Sequence, residues 1–254
     1  MNELVLYFSL KYDGDFLKIY EALANQEPVD EELKKSLMNE FMKTHCKYIT
    51  IFDKEYPNIL RKTNQPPFVI YYYGNLELLK KKTLAVIGST RFDEYGKDIT
   101  IDCVDELVEN DVTIINGMAC GIQTIALERA IKKGGKTIVV LGCGIEECYP
   151  KINNNLYESI KDNQLIISEY PFHTKVDNRK LIYRNRIIAA ISHGVIVTQI
   201  KEKSSSMTTV GYALQEGKEV YCILGQFRSE YNGTNILINN GANIYYGISS
   251  LELF

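Results

Sequence analysis

From Thr83 onward, short unbroken runs of Val, Ile and Leu alternate with amphipathic stretches of helix length, and no other feature restricts the fold as tightly. The runs are Leu84–Ile87, Val112–Ile115, Thr137–Leu141, Leu165–Ile167, Val195–Val197 and Val220–Leu224. Between and after them, helical periodicity predicts helices near Glu94–Glu109, Ile122–Lys133, Asn153–Lys161, Leu181–Ile191, Met207–Glu216 and Thr234–Asn239. Runs that are apolar throughout, not at every second residue, mark strands buried on both faces. Regular strand–helix alternation specifies an α/β fold with a doubly wound, mainly parallel sheet.

The segment before this pattern is different. Leu4, Leu6, Tyr7, Leu10, Phe16, Ile19, Tyr20 and Leu23 recur at helical spacing, as do Leu33, Leu37 and Phe41. Residues 1–45 therefore read as a small helical domain with a local charge of −4, and residues 46–254 as a second domain. Tyr48–Phe52 and Phe68–Tyr73 are β-rich, and the prolines at 57, 66 and 67 forbid regular helix between them. A membrane span needs about 18 apolar residues, and no run reaches that length. Met1–Leu10 carries Glu3 and no basic residue, so it does not read as a signal peptide. The six Cys include no C-x-x-C pair and the three His are scattered, so neither a metal site nor a disulfide framework is expected. Reduced thiols and a cytoplasmic location are.

In open α/β sheets, ligands bind beyond the carboxyl ends of the strands. Three such ends carry glycine turns: Gly88-Ser89-Thr90-Arg91, Asn116-Gly117-Met118-Ala119-Cys120-Gly121 and Gly142-Cys143-Gly144. Glycine permits tight turns and close approach to amide N–H groups, and a following helix start favours an anion such as phosphate. Each turn alone fits a purely structural role. Gly142-x-Gly144 has Glu147 where a dinucleotide fingerprint has its third glycine, and no Walker loop occurs.

The net charge of −3 argues against a protein coated in positive charge for DNA. Yet His173 to Lys203 carries seven cations and two anions, a local balance of +5. It contains Tyr183-Arg184-Asn185-Arg186-Ile187-Ile188-Ala189. Arginine presents a planar fork of five donors suited to phosphate. Residues two apart do not share a helix face, so Arg184 and Arg186 splay, and from a helix start both reach one extended strand of phosphates. A solvated helix start with one structural salt bridge is the alternative. Ser204-Ser205-Ser206 then leads into a helix and reads as an N-cap or as another phosphate site.

Taken together, these residues resemble the DNA-processing protein A family (DprA, also called Smf) from about Tyr48 onward. The likeness rests on Ile51-Phe52-Asp53-x-x-Tyr56-Pro57, Ala85-Val86-Ile87-Gly88-Ser89-Thr90-Arg91, Gly117-Met118-Ala119-x-Gly121-Ile122 and Gly134-Gly135-Lys136-Thr137. It is strongest at Ser168-Glu169-Tyr170-Pro171 and Arg184-Asn185-Arg186-Ile187-Ile188-Ala189, and Gly233-Thr234-Asn235 adds to it. The resemblance implies an extended Rossmann-like domain that binds single-stranded DNA at the strand ends without being an enzyme. It implies a homodimer that protects incoming single strands and loads a RecA-type recombinase during transformation or recombination. No cofactor, metal or membrane is implied. The implied DNA contacts are Arg91, Lys136, Arg184, Asn185, Arg186, Ser204 and Ser206, with phosphate-cradling turns at Gly88, Ser89, Gly117, Gly121, Gly142 and Gly144. Gln123, Leu127, Ser205 and Leu224 depart from the family's usual Asp, His, Gly and Pro, which suggests a divergent member, one without the C-terminal winged helix that many members carry.

An enzyme of the phosphoribohydrolase type is the alternative. Its hallmark is a Pro-Gly-Gly-x-Gly-Thr loop, and the nearest stretch, Ser204 to Gln215, has no glycine before Gly211. Glu169 would be its base at a strand end, or would fix Arg184 or Arg186 by a salt bridge; the structural role is preferred.

Overall fold

A computed structural model of the chain describes residues 1–252; the last two residues of the 46–254 segment lie outside it. Three helices come first: α1 (Asn2–Lys11), α2 (Phe16–Ala24) and α3 (Glu31–Met42). Asp15 and Asp30 cap α2 and α3, each side chain accepting a backbone N–H three residues on. β1 (Lys47–Thr50), α4 (Asn58–Arg61) and β2 (Val69–Gly74) follow. The alternating part runs β3 (Thr83–Ile87), α5 (Glu94–Glu109), β4 (Thr113–Asn116), α6 (Ile122–Lys132), β5 (Thr137–Leu141), α7 (Asn154–Asn163) and β6 (Leu165–Ser168). It continues with α8 (Asn178–Tyr183), α9 (Asn185–Ile191), β7 (Gly194–Val197), α10 (Met207–Gln215), β8 (Glu219–Cys222), α11 (Gly233–Asn239) and β9 (Asn243–Ile244).

Among the described residues these strands form one sheet in the order β1-β2-β6-β5-β4-β3-β7-β8-β9. β3 to β9 pair parallel throughout, while β2 pairs antiparallel to β6 and β1 to β2. The fully buried strands β3, β4, β5, β6 and β7 are the continuous apolar runs of the sequence. The order reverses between β3 and β7, so the loops after these two strands diverge and open a crevice at their carboxyl ends.

One sheet face packs against α9 and α10 through Ile87, Val140, Val197, Ile188 and Val210. The opposite face is covered at one end by α5 and α6, through Leu84, Val104 and Ala126. At its other end it is covered by α1, α3 and α7, through Leu6, Leu10, Phe41, Ile160 and Ile166. α1 buries every residue from Val5 to Leu10 because it lies between the sheet and the other two leading helices. Its turn into α2 is fixed by Gly14, whose φ of +71° lies in the left-handed region. A Cβ there would strike the Glu169 carbonyl.

Two expectations change. The single helix expected over Leu181–Ile191 is two helices, α8 and α9, that share Arg184 as their common cap. Arg184 itself keeps helical backbone angles, φ −58° and ψ −25°, and its side chain turns inward beneath the strand ends. β9 has no counterpart among the apolar runs: it is two exposed residues that pair with β8 through the backbone, joined by a bond from Asn243 Nδ2 to Glu219 Oε2 at 2.7 Å.

Candidate nucleic-acid interface

The crevice at the β3/β7 switch holds a cavity of about 450 Å³. Gly88 and Thr90 line it from the loop after β3; Gly117, Ala119 and Cys120 do so from the loop after β4. Arg184 and Asn185 line it from the α8–α9 junction, and Ser205, Ser206 and Thr209 from the start of α10. Tyr149 and Pro150 line it from the loop after β5, so five separate segments of the sequence converge on one site.

Arg184 forms part of its floor. The residue is 5% exposed. Its Nη1 donates to the carbonyls of Gly117 (2.9 Å) and Val140, and its Nε to that of Leu181 (3.2 Å). Among the described residues no carboxylate pairs with it. Burial pulls its guanidinium down to about 10, so it remains charged at neutral pH. Gly117 is glycine for this reason: a Cβ there would fall on the guanidinium.

Arg186 points elsewhere. Its Nη2 donates to Glu169 Oε2 in a buried ion pair, and its guanidinium lies 4.1 Å from the centre of the Tyr183 ring. Glu169 Oε1 and Arg186 Nε are buried without a hydrogen-bond partner. Burial pushes the Glu169 carboxyl above the usual carboxylate range, and Arg186 opposes that push. Glu169 therefore anchors Arg186. The two arginines splay as the sequence spacing requires, and both guanidinium groups already have protein partners.

Asn185 donates through Nδ2 to Thr208 Oγ1 at 2.8 Å, joining the start of α9 to α10. The Ser206 hydroxyl donates to the Gly88 carbonyl at 2.6 Å, so it ties the loop after β7 to the loop after β3 instead of capping α10. Ser204 Oγ accepts from Ser206 N at 3.3 Å. The N–H of Ser89 donates to the Gln199 carbonyl and its Oγ accepts from Lys201 N. The Gly117 and Ala119 N–H groups donate to Gln123 Oε1 at 2.9 and 3.3 Å. These turns spend those amides on one another. Gly121, with φ +82°, presses against the Ser89 and Thr90 carbonyls. Gly142 and Gly144 lie beneath Leu181 and the Pro171–Thr174 loop, where a Cβ would meet backbone.

Lys136 is exposed and immediately precedes β5, at the amino end of the sheet and away from this cavity. Arg91 is exposed, one residue beyond the cavity-lining Thr90. Of the departures from the family pattern, Gln123 holds the turn after β4, as its oxygen accepts two amides, and Leu127 is buried against the β-sheet side of α6. Ser205 is exposed in the turn before α10. Leu224 is exposed beside the Tyr95 hydroxyl, which donates to its carbonyl. Of the lining residues, Cys120, Gln123, Tyr149 and Thr209 were not expected from the sequence. No spacing rule singles them out, because each reaches the site from its own loop or helix start. Among the described residues no cluster of His, Cys, Asp or Glu is arranged to hold a metal ion.

The chain matches the family described as DNA recombination-mediator protein A over residues 47–252. It is 37% identical over 196 residues to the DNA processing protein DprA of Streptococcus pneumoniae, covering 77% of this chain and 69% of that protein. It is 34% identical over 205 residues to DprA of Bacillus subtilis, covering 80% and 69%. The X-ray structure of DNA processing protein A from S. pneumoniae superposes with a TM-score of 0.80 at 31% identity, over 97% of this chain and 89% of that one. The protein from Helicobacter pylori, in a structure concerned with its single-stranded DNA binding mode, gives 0.73 at 32% identity, over 81% and 94%.

Proposed function

The chain belongs to the DNA recombination-mediator protein A family, and from that premise we propose that it binds single-stranded DNA in the strand-end cavity. One observation carries the reading: Arg184 is a buried, charged guanidinium at the cavity floor with only carbonyl dipoles around it. A buried charge without a counter-charge is unfavourable, and a phosphate oxygen entering the cavity supplies one. Asn185 and Ser206 line the cavity, Ser204 lies in the same turn as Ser206, and Arg91 adds an exposed cation next to the lining Thr90. Arg186 acts in this reading by bracing the α8–α9 junction through Glu169, and Lys136 meets only a strand that continues around the sheet. The turns at Gly88, Ser89, Gly117, Gly121, Gly142 and Gly144 shape the cavity more than they donate to the strand.

Membership of a recombination-mediator family supports a wider reading: a non-catalytic protein, working as a cytoplasmic homodimer, that shields single strands and passes them to a RecA-type recombinase. Residues 1–45 form its helical head and 46–254 its DNA-binding part. The test is anisotropy of labelled oligo-dT with native protein and with Arg184→Ala and Arg91→Ala. Binding by the native protein, weakened in both variants, supports the reading. Native protein that ignores oligo-dT and hydrolyses a nucleoside monophosphate overturns it in favour of a phosphoribohydrolase.

A further inference from the structure

α8 is a wall with two wet sides. Asn178, Leu181 and Ile182 face the strand-end cavity. Arg179, Lys180, Ile182 and Tyr183 face a second and larger cleft, of about 830 Å³, closed on its far side by the α1–α2 turn. Ile182, 44% exposed, borders both.

This second cleft is rich in aromatic rings: Tyr12, Phe16, Tyr170, Tyr183 and Tyr212 line it. Its acids are committed to the fold. Asp15 caps α2, Asp177 caps α8, and Asp13 meets His173 Nε2 at 2.8 Å. Lys11 pairs with Glu27. Lys18 and Lys180, by contrast, form no salt bridge among the described residues, and Lys180 Nζ lies 5.2 Å from the centre of the Tyr170 ring. Arg179 is held only loosely, 3.4 Å from Asp177 with its side chain 92% exposed. The cleft thus offers aromatic faces beside available cations. Grooves that hold single strands without sequence preference are built this way, because every base has a π-face and every nucleotide a phosphate. Both walls are fixed, since the Asp13-Gly14 turn rests on the Glu169–Tyr170 backbone.

We propose that this cleft is a second segment of the single-strand site: DNA leaving the strand-end cavity crosses α8 at Ile182 and stacks its bases on the rings of Tyr12, Phe16 and Tyr212. The inference rests on the proposed function and extends it, giving the helical head a direct part in binding.

The chain contains no Trp, so Leu17→Trp places a single reporter at an exposed position of the cleft wall. An oligo-dT of about 20 nucleotides is expected to quench it, and one of about 5, enough for the strand-end cavity alone, is not. Lys18→Glu combined with Lys180→Glu is expected to weaken the longer oligonucleotide roughly tenfold, about 1.4 kcal/mol, and to leave the shorter one within about twofold. If the longer oligonucleotide binds by anisotropy but neither alters the L17W emission nor responds to the charge reversals, the cleft is not part of the site, while strand-end binding stands. If neither oligonucleotide binds native protein, both readings fall.

Discussion

Gly117 and Arg184 occupy complementary volumes, and that complementarity makes a sharp test at the level of single residues. Gly117→Ala places a methyl group where the guanidinium lies, so the arginine must leave its carbonyl cage or the turn must move. Overpacking of this kind costs about 1–3 kcal/mol. A lowered Tm together with weakened oligo-dT binding is expected, and an unchanged Tm would show that the cage yields freely. Glu169 gives a second test, through pH. Its folded pKa is raised, first by burial and against the pull of Arg186. A carboxyl raised in this way takes up protons on folding, so its contribution to stability is largest below the ordinary carboxylate value and is lost as pH rises through the folded one. Denaturation midpoints measured from acid to neutral pH should therefore show the native protein losing ground to Glu169→Gln across that window. A difference that stays flat would mean the carboxyl is not shifted.

The elements repeat that lesson on a larger scale. β3, β4, β5, β6 and β7 were legible as apolar runs because strands buried on both faces leave no alternative reading. The division between α8 and α9 was not, because Arg184 keeps helical backbone angles and no glycine or proline marks the junction. The convergence of Gly117, Arg184 and Ser206 on one cavity was partly legible, since strand ends and the basic segment pointed there. Lys136 shares their residue chemistry but sits at the other end of β5, a distinction that only strand direction reveals. The α1–α2 turn is another tertiary feature. Gly14→Ala forces a side chain into a left-handed φ, which costs about 1–2 kcal/mol, and drives it against the Glu169 carbonyl. Limited proteolysis should then cut between α1 and α3 faster than in native protein. Equal cutting rates would mean that the head docks without this turn.

Over the whole molecule, an overall charge of −3 and a DNA-binding site are compatible only if positive potential is local. The acidic excess lies partly in the leading helices, whereas Arg184 lines the strand-end cavity, Arg91 adjoins it, and Lys18 and Lys180 line the second cleft. This arrangement bounds the salt dependence. Each phosphate neutralised on a single strand contributes about −0.7 to the slope of log affinity against log salt, so about four contacts give roughly −3. A protein binding through its whole surface would show a much steeper slope, and one reading bases alone a slope near zero. Titrations of oligo-dT at several salt concentrations distinguish the three cases. Removing the Arg91 side chain should flatten the slope by somewhat less than one contact, because an exposed cation is already partly screened. Lys136→Ala should leave the slope unchanged for a short oligonucleotide confined to the cavity, since that lysine stands at the opposite end of the sheet. A change there would mean that even a short strand wraps the sheet edge, and that the binding surface is larger than the cavity between β3 and β7.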